Sequence, residues 1–236
     1  MGSEGPAPSV TVNVTGFKKF HGVAENPTET IVRNLKEYMK KKGLPKGLAL
    51  GSCNVLEAAG HGAVVSLYQT LQSAIAGNDS ELPNSGNVIW LHLGVNSGAT
   101  RFAIENQAVN EATFLCPDEM GWKPQKVRII PTDGEISRTR KTTLPVKEIT
   151  STLAKKGYDV MTSNDADRFV CNYVYYHSLW FAEQNQTKSL FVHVPLFSTI
   201  NKETQMQFVA SLLEELASFC STLGCNSLDL SCPVFV

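Results

Sequence analysis

The sequence predicts an α/β fold: a single domain with an open, mostly parallel, twisted sheet and helices on both faces. Strand-like apolar segments alternate with segments of helical periodicity, which is the order of parallel strands joined by right-handed crossover helices. The chain has 236 residues, 42% of them hydrophobic, which suffices for one substantial core. We therefore expect a disordered tail at 1–8, the domain at 9–223 and a C-terminal tail without an assigned structure at 224–236.

Hydrophobic periodicity and end signals define the elements in turn. Strands are predicted where β-branched and apolar residues alternate or run on without a break, and helices where apolar residues recur every three or four positions. In chain order, the predicted elements are a strand at 9–17, a helix from 27 to Gly43, a strand at 47–56, a helix at 61–76 ended by Gly77, a strand at 87–94, a short helix at 146–157, a long helix from about 167 to 186, a strand at 189–196 and a helix at 202–224.

The first helix has the clearest boundaries, and residues 100–145 have the least clear ones. Asn26 is a good N-cap, Pro27 takes the first helical position, and Glu29 can close a capping box. Residues 100–145 contain strand-like patches and then many Pro and Gly residues, which predicts a long excursion rather than a core element. Excursions of this kind often border functional sites.

Composition excludes several classes of function. With 21 Lys and Arg against 22 Asp and Glu, and no basic stripe, we expect no nucleic-acid partner. The N-terminus lacks a basic start followed by an apolar run, and no apolar segment is long enough to span a membrane, so we expect a cytoplasmic protein. The six cysteines form no C-x-x-C pair and are expected as reduced thiols. The histidines lack the spacing of metal ligands and the sequence contains no complete nucleotide-binding motif, so we expect no metal and no other cofactor.

Chain topology brings a thiol and an imidazole to the same edge of the predicted sheet. Cys171 lies near the start of the long helix, and His193 lies near the carboxyl end of the strand that follows. In an open α/β sheet both positions border the crevice where ligands bind. A helix N-terminus and a neighbouring imidazole both favour the thiolate form of a cysteine, so the two residues are candidates for a nucleophile and its base.

These residues alone also permit a structural explanation. A cysteine within "RFVCNYVYY" is more often a small buried hydrophobic residue than a nucleophile, and a histidine inside an apolar strand is more often structural. His177, on the same helix as Cys171, competes with His193 as the partner of the thiol. Spacing does not decide between them.

Four motifs resemble, in order and spacing, those of the pyroglutamyl peptidase I family of cysteine peptidases. They are "VTGFKKFHGVAENPT" at 14–28, "HLGVNSGATRFAIENQAVN" at 92–110, "RFVCNYVYYHSL" at 168–179 and "LFVHVPL" at 190–196, and the version here is similar to plant members. The resemblance implies a Glu–Cys–His triad of Glu105, Cys171 and His193 that removes N-terminal pyroglutamate through a thioester. It also implies a lactam pocket formed by Phe17, Phe20, Phe169 and Val170, because an uncharged five-membered ring needs flat apolar walls.

Three positions depart from the family pattern. Val95 replaces a glutamine of bacterial members, and Leu115 stands where the resemblance implies an arginine beside the oxyanion. Losing one such donor is commonly worth about a hundredfold in rate unless another donor replaces it. Asp167 stands where members have glycine, at a turn that needs an unusual backbone conformation and close to the thiol.

The sequence therefore predicts an enzyme, a cytoplasmic cysteine peptidase whose partner is an N-terminal pyroglutamyl peptide or a small pyroglutamyl amide. Because of Leu115 and Asp167, two alternatives stay open: a divergent paralogue acting on another cyclic amide, ester or small metabolite, and a catalytically silent binding protein of the same fold. An oligomer is possible, since bacterial relatives form tetramers and mammalian ones are monomers.

Overall fold

The computed structural model describes residues 10–76 and 87–225, so the predicted tail at 1–8, the helix end at Gly77 and the last residues, 226–236, lie outside the described residues. The strands are β1 (Val10–Phe17), β2 (Leu48–Leu56), β3 (Val88–Val95), β4 (Phe102–Glu105), β5 (Gln107–Val109), β6 (Glu111–Ala112), β7 (Val127–Arg128), β8 (Thr139–Lys141), β9 (Val160–Ser163) and β10 (Lys188–Val194). The helices are α1 (Pro27–Lys42), α2 (Gly60–Ala76), α3 (Val146–Lys155), α4 (Val170–Gln184) and α5 (Lys202–Cys225). Among these described helices, none combines the length and the apolar character that crossing a bilayer requires.

Six strands form the central sheet in the order β2-β1-β3-β10-β4-β9. All neighbouring pairs are parallel except β10 and β4, which are antiparallel. Helices α1, α3 and α5 share one hydrophobic core with the sheet, and α2 and α4 share another on the opposite face. The predicted α/β class, with a mostly parallel sheet covered on both faces, is confirmed.

The end signals of α1 are confirmed with one correction. The side chain of Asn26 accepts a hydrogen bond from the Thr28 N–H, and Pro27 is the first helical residue. Glu29 does not close a capping box: its carboxylate accepts the backbone N–H of Lys19 and pairs with Arg33 one turn later. The loop before α1 folds back over the start of the helix. One N–H group of this loop and the cation at position i+4 therefore both bind the Glu29 carboxylate.

One strand was missed and the start of one helix is shifted from the prediction. Strand β9 was not predicted, because it is a four-residue edge strand with half-exposed side chains and therefore lacks a clear apolar pattern. Helix α4 begins at Val170 rather than near 167. Asp167 has φ +69° and Phe169 is extended, so the chain turns before it can enter a helix.

The excursion at 100–145 is partly a core element, which corrects the prediction. It contributes β4 to the central sheet and two small two-stranded sheets, β5–β8 and β6–β7. Phe114, Ile129 and Ile130 from this region are buried against the α2 and α4 side of the molecule. Helix α4 is buried on nearly all sides, so the sheet alone cannot cover it and the excursion packs on its outer surface.

A buried ion pair fixes the excursion to α4. The Arg140 guanidinium on β8 donates to both carboxylate oxygens of Asp133 at 2.6 Å, and the Tyr176 hydroxyl on α4 donates to the same carboxylate at 2.5 Å. Burial alone would raise the pKa of Asp133, but these hydrogen bonds and the charge of Arg140 hold it below its ordinary value. Asp133 therefore remains charged, and Arg140 must stay to compensate it.

We expect Arg140→Met to lower the free energy of unfolding by about 3 kcal/mol, because it leaves the buried Asp133 carboxylate without its main partner. Arg138→Met is the matched control, since Arg138 is half-exposed and contacts the same carboxylate only at 3.4 Å. It should cost less than about 1 kcal/mol. Urea unfolding of both variants measures the difference, and equal losses would contradict this account of the excursion.

Candidate active site

A cavity of about 240 Å³ opens at the carboxyl edge of the central sheet. Its walls come from the loops after β1, β2, β3 and β9, the start of α4 and the end of β10. This is the edge where open α/β sheets bind their ligands. The lining residues are Phe17, Phe20, Asn26, Ala58, Val95, Asn96, Ser97, Asp165, Asp167, Phe169, Val170, Cys171 and His193.

Cys171 is the second residue of α4 and faces this cavity. The N-cap position is taken by Phe169, whose side chain cannot accept a hydrogen bond from the first turn. The N–H groups of that turn have no acceptor within the helix, and the helix dipole gives this end partial positive charge. The local structure therefore suits a negative charge beside Cys171.

Asn172 fixes the position of the thiol from the next residue. Its side-chain oxygen accepts the Val109 N–H at 2.9 Å, and its amide nitrogen donates to the carbonyls of Val109 and Glu111 at 2.9 Å. The side chain is fully buried. The start of α4 is thereby held against β5 and β6 by three hydrogen bonds.

Gly94 leaves room for the thiol from the side of the sheet. A Cβ atom at this position would lie 2.9 Å from Cys171 Sγ and 2.6 Å from the ring of Phe191. Both distances are shorter than van der Waals contact allows. A residue without a side chain near the end of β3 is therefore required for α4 to approach the sheet this closely.

His193 lies between Cys171 and Glu105. Its Nδ1 atom and Glu105 Oε1 are 2.8 Å apart, and both side chains are almost fully buried. The antiparallel pairing of β10 with β4 places Glu105 opposite Phe191, two residues before the histidine. The Tyr175 hydroxyl donates to the backbone carbonyl of Glu105 at 2.9 Å, and the second carboxylate oxygen has no partner among the described residues.

The charge state of His193 is set by its two neighbours. Burial alone would lower its pKa, but the hydrogen bonds and charges of Cys171 and Glu105 raise it to about 10. The imidazole is therefore protonated at neutral pH, and a protonated imidazole beside a thiol is the arrangement that favours a thiolate. The three side chains form one hydrogen-bonded row, in which Glu105 and His193 are buried and Cys171 is half-buried at the cavity.

The two other histidines within the core lie elsewhere. His177 contacts the Tyr68 hydroxyl through Nδ1 at 3.1 Å, and burial, with the charge of His61, lowers its pKa to about 4. His92 is bonded to Thr15 and Ser178 at 2.7 Å each, and burial lowers its pKa to about 3. Neither lines the cavity, so His193 rather than His177 is the partner of the thiol in this structure.

The aromatic residues named from the sequence line the same cavity. Phe17 ends β1 and Phe20 follows in the loop, while Phe169 is the N-cap of α4 and Val170 its first residue. The loop that carries Phe20 is held by the Lys18 N–H, which donates to the Leu56 carbonyl at 2.9 Å. The His21 N–H also donates to Glu119 at 2.7 Å, so the excursion supports this loop as well.

Five lining residues were not predicted: Asn26, Ala58, Asn96, Ser97 and Asp165. Asn96 and Ser97 directly follow β3, so the rule that ligands lie beyond the carboxyl ends of strands could have identified them. Asn26 was interpreted only as a helix cap, and the sequence carries no signal that a cap also borders a cavity. Within the described ranges, no three His, Cys, Asp or Glu side chains are grouped as metal ligands.

The three residues that depart from the family pattern differ in whether they line the cavity. Leu115 is 89% exposed and does not line the cavity, so no side chain from this position reaches the site. Val95 and Asp167 do line it. Asp167 adopts the left-handed backbone conformation that a glycine would adopt freely, and its carboxylate accepts the N–H of Arg168 at 2.6 Å.

Comparison with known proteins gives a consistent result. Residues 10–218 match the family model described as pyroglutamyl peptidase. The chain is 33% identical over 189 residues to the pyrrolidone-carboxylate peptidase of Pyrococcus furiosus, covering 78% of this chain and 80% of the relative. It is 30% identical over 186 residues to that of Thermococcus litoralis, covering 78% and 76%.

Solved structures agree with the sequence matches. The crystal structure of pyrrolidone carboxyl peptidase from P. furiosus superposes with a TM-score of 0.75 at 26% identity and covers 89% of this chain and 100% of its own. The enzyme from Fervidobacterium islandicum gives 0.72 at 26% identity, covering 89% and 99%. The resemblance predicted from four motifs is confirmed, and the chain belongs to the pyroglutamyl peptidase family.

Proposed function

We propose that this protein is a cysteine peptidase that removes an N-terminal pyroglutamyl group from peptides or small amides. The observation that carries the proposal is the hydrogen-bonded row of Glu105, His193 and Cys171, which ends in a cavity whose lining includes the apolar Phe17, Phe20, Phe169 and Val170. Nothing in the geometry or the comparisons favours the divergent paralogue or the silent binding protein. The cytoplasmic location and the oligomeric state stay predictions.

Each member of the row has a separate chemical role in the proposed reaction. The Cys171 thiolate attacks the pyroglutamyl carbonyl, and His193 transfers its proton to the leaving amine as the thioester forms. His193 then accepts a proton from water, which attacks the thioester and releases pyroglutamate. Glu105 accepts the Nδ1–H of His193 at 2.8 Å, so it orients the ring and stabilises its charged form.

The start of α4 supplies the oxyanion donors in this proposal. Leu115 offers no donor, but the N–H groups of the first turn, beginning with Cys171 itself, have no acceptor within the helix. They lie beside the nucleophile, and the helix dipole favours a developing negative charge there. The lactam ring would pack between the Phe17 and Phe20 loop and the Phe169–Val170 segment.

Cys171→Ala should lower kcat/KM on a pyroglutamyl fluorogenic amide by at least about a thousandfold, because the nucleophile is lost and the fold is kept. Iodoacetamide at neutral pH should label Cys171 much faster than Cys53, whose pKa is raised to about 11 by burial. Peptide mass analysis separates these sites from the exposed Cys116. Equal hydrolysis by the wild-type protein and Cys171→Ala would overturn the proposed function.

Gly94→Ala should lower kcat/KM by about tenfold or more and the free energy of unfolding by about 1–3 kcal/mol, because the new methyl group overlaps Cys171 Sγ and Phe191. Gly98→Ala is the control on the following loop, where a Cβ atom would meet nothing closer than 3.7 Å. Assay and urea unfolding of both variants give the comparison. If Gly94→Ala has the same activity and stability as Gly98→Ala, the close approach of α4 to Gly94 is not required for either.

The raised pKa of His193 predicts that its imidazole stays protonated at pH 8, where an ordinary histidine with a pKa of 6.5 is neutral. NMR of histidine-labelled protein measures the titration, and His92 and His177 stay neutral above pH 5 because burial lowers their pKa values to about 3 and 4. Removing either stabilising partner, in Glu105→Gln or Cys171→Ala, should lower the midpoint. A wild-type midpoint near 6.5 would contradict the assignment.

A further inference from the structure

The cavity carries negative charge on its open side. Its lining includes Asp165 and Asp167 and, among the described residues, no Lys or Arg side chain. The residues around the thiol are buried: Phe17 and Val170 are each 3% exposed and His193 is 6% exposed. Both aspartates are exposed. The cavity therefore runs from a buried, apolar end beside the nucleophile to an exposed, acidic mouth.

Arg168, beside this mouth, pairs directly with two carboxylates. Arg168 NH1 donates to Asp165 at 2.7 Å, and Arg168 Nε lies 3.5 Å from Glu111. The Asp167 carboxylate accepts only the backbone N–H of Arg168, and within the described part of the chain no Lys, Arg or His lies at ion-pair distance from it. The Arg168 guanidinium donates instead to the Asp167 backbone carbonyl, at 2.6 Å. Of Asp165, Glu111 and Asp167, only Asp167 therefore lacks a direct ion pair.

The backbone holds Asp167 in place. Its φ of +69° is the left-handed conformation, and its own N–H donates to Asp165 at 3.2 Å. The bond from the Arg168 N–H to the carboxylate restricts the side chain further. Asp167 is thus a fixed charge at the mouth, and asparagine fits the same backbone conformation without the charge.

We propose that Asp167 makes this enzyme select pyroglutamyl substrates whose leaving amine segment carries a positive charge, such as a lysine or arginine that directly follows the pyroglutamyl group. The inference rests on the proposed function, which puts the lactam at the apolar end and so directs the leaving segment to the mouth. A carboxylate there that lacks a direct ion pair attracts a cationic segment and repels an anionic one. Asp167 sets specificity and takes no part in bond making.

The test compares three amidated dipeptides that differ only in the second residue: pyroglutamyl-lysine amide, pyroglutamyl-glutamine amide and pyroglutamyl-glutamate amide. In wild type, kcat/KM for the lysine substrate should exceed that for the glutamate substrate about tenfold at low ionic strength, and less in high salt. Asp167→Asn should reduce this ratio to about threefold or less, and because the ratio is taken within each protein, a general change in activity cancels. Glu37→Gln, which removes the same charge from the exposed surface of α1, should leave the ratio unchanged.

A binding measurement separates the two hypotheses. Dissociation constants of the three dipeptides for Cys171→Ala, and for Cys171→Ala with Asp167→Asn, report charge selection without hydrolysis. If the lysine dipeptide binds preferentially and Asp167→Asn abolishes this preference, the inference is supported, even if no substrate is hydrolysed. Absence of hydrolysis would overturn only the proposed function. Turnover with no dependence on charge, or a preference that survives Asp167→Asn, overturns the inference and leaves the peptidase function standing.

Discussion

The burial of α4 on nearly all sides is the constraint on which the rest of the structure depends. A helix that is apolar on all sides must be covered by two different surfaces, here the central sheet and the excursion. Packing against both surfaces fixes the position of the helix and of its ends. Its N-terminus reaches the carboxyl edge of the sheet at the height of Gly94 and His193. The position of Cys171 follows from this packing along the helix together with the local contacts of Asn172 and Gly94.

The same burial sets the electrostatics of the site. Removing a carboxylate and an imidazole from water is costly unless each has a charged or hydrogen-bonded partner, and Glu105 and His193 are almost fully buried. Their pairing offsets that cost, and the unpartnered second oxygen of Glu105 makes the carboxylate depend on His193 within the described structure. Stability and reactivity are thus linked through one hydrogen bond.

The sequence was informative where periodicity or topology determines structure, and less so where tertiary contacts do. Cys171 and His193 could be placed at one edge because helix and strand directions follow from the order of elements, whereas Glu105 came only from the family resemblance, since a single glutamate carries no pattern. Strand β9 was missed because an exposed edge strand has no apolar signal, and the start of α4 was displaced because Asp167 turns the chain. The burial of Phe114 in the excursion depends on α4, which lies far away in the sequence.

The left-handed conformation of Asp167 has a consequence for protein engineering. An aspartate there pays a backbone strain of about 1 kcal/mol, while a glycine would lose a similar amount through the greater freedom of its unfolded chain. Glycine, asparagine and aspartate are therefore nearly interchangeable in stability at this exposed position beside the cavity. Charge at the entrance of this enzyme could be adjusted without disturbing the packing that positions its nucleophile.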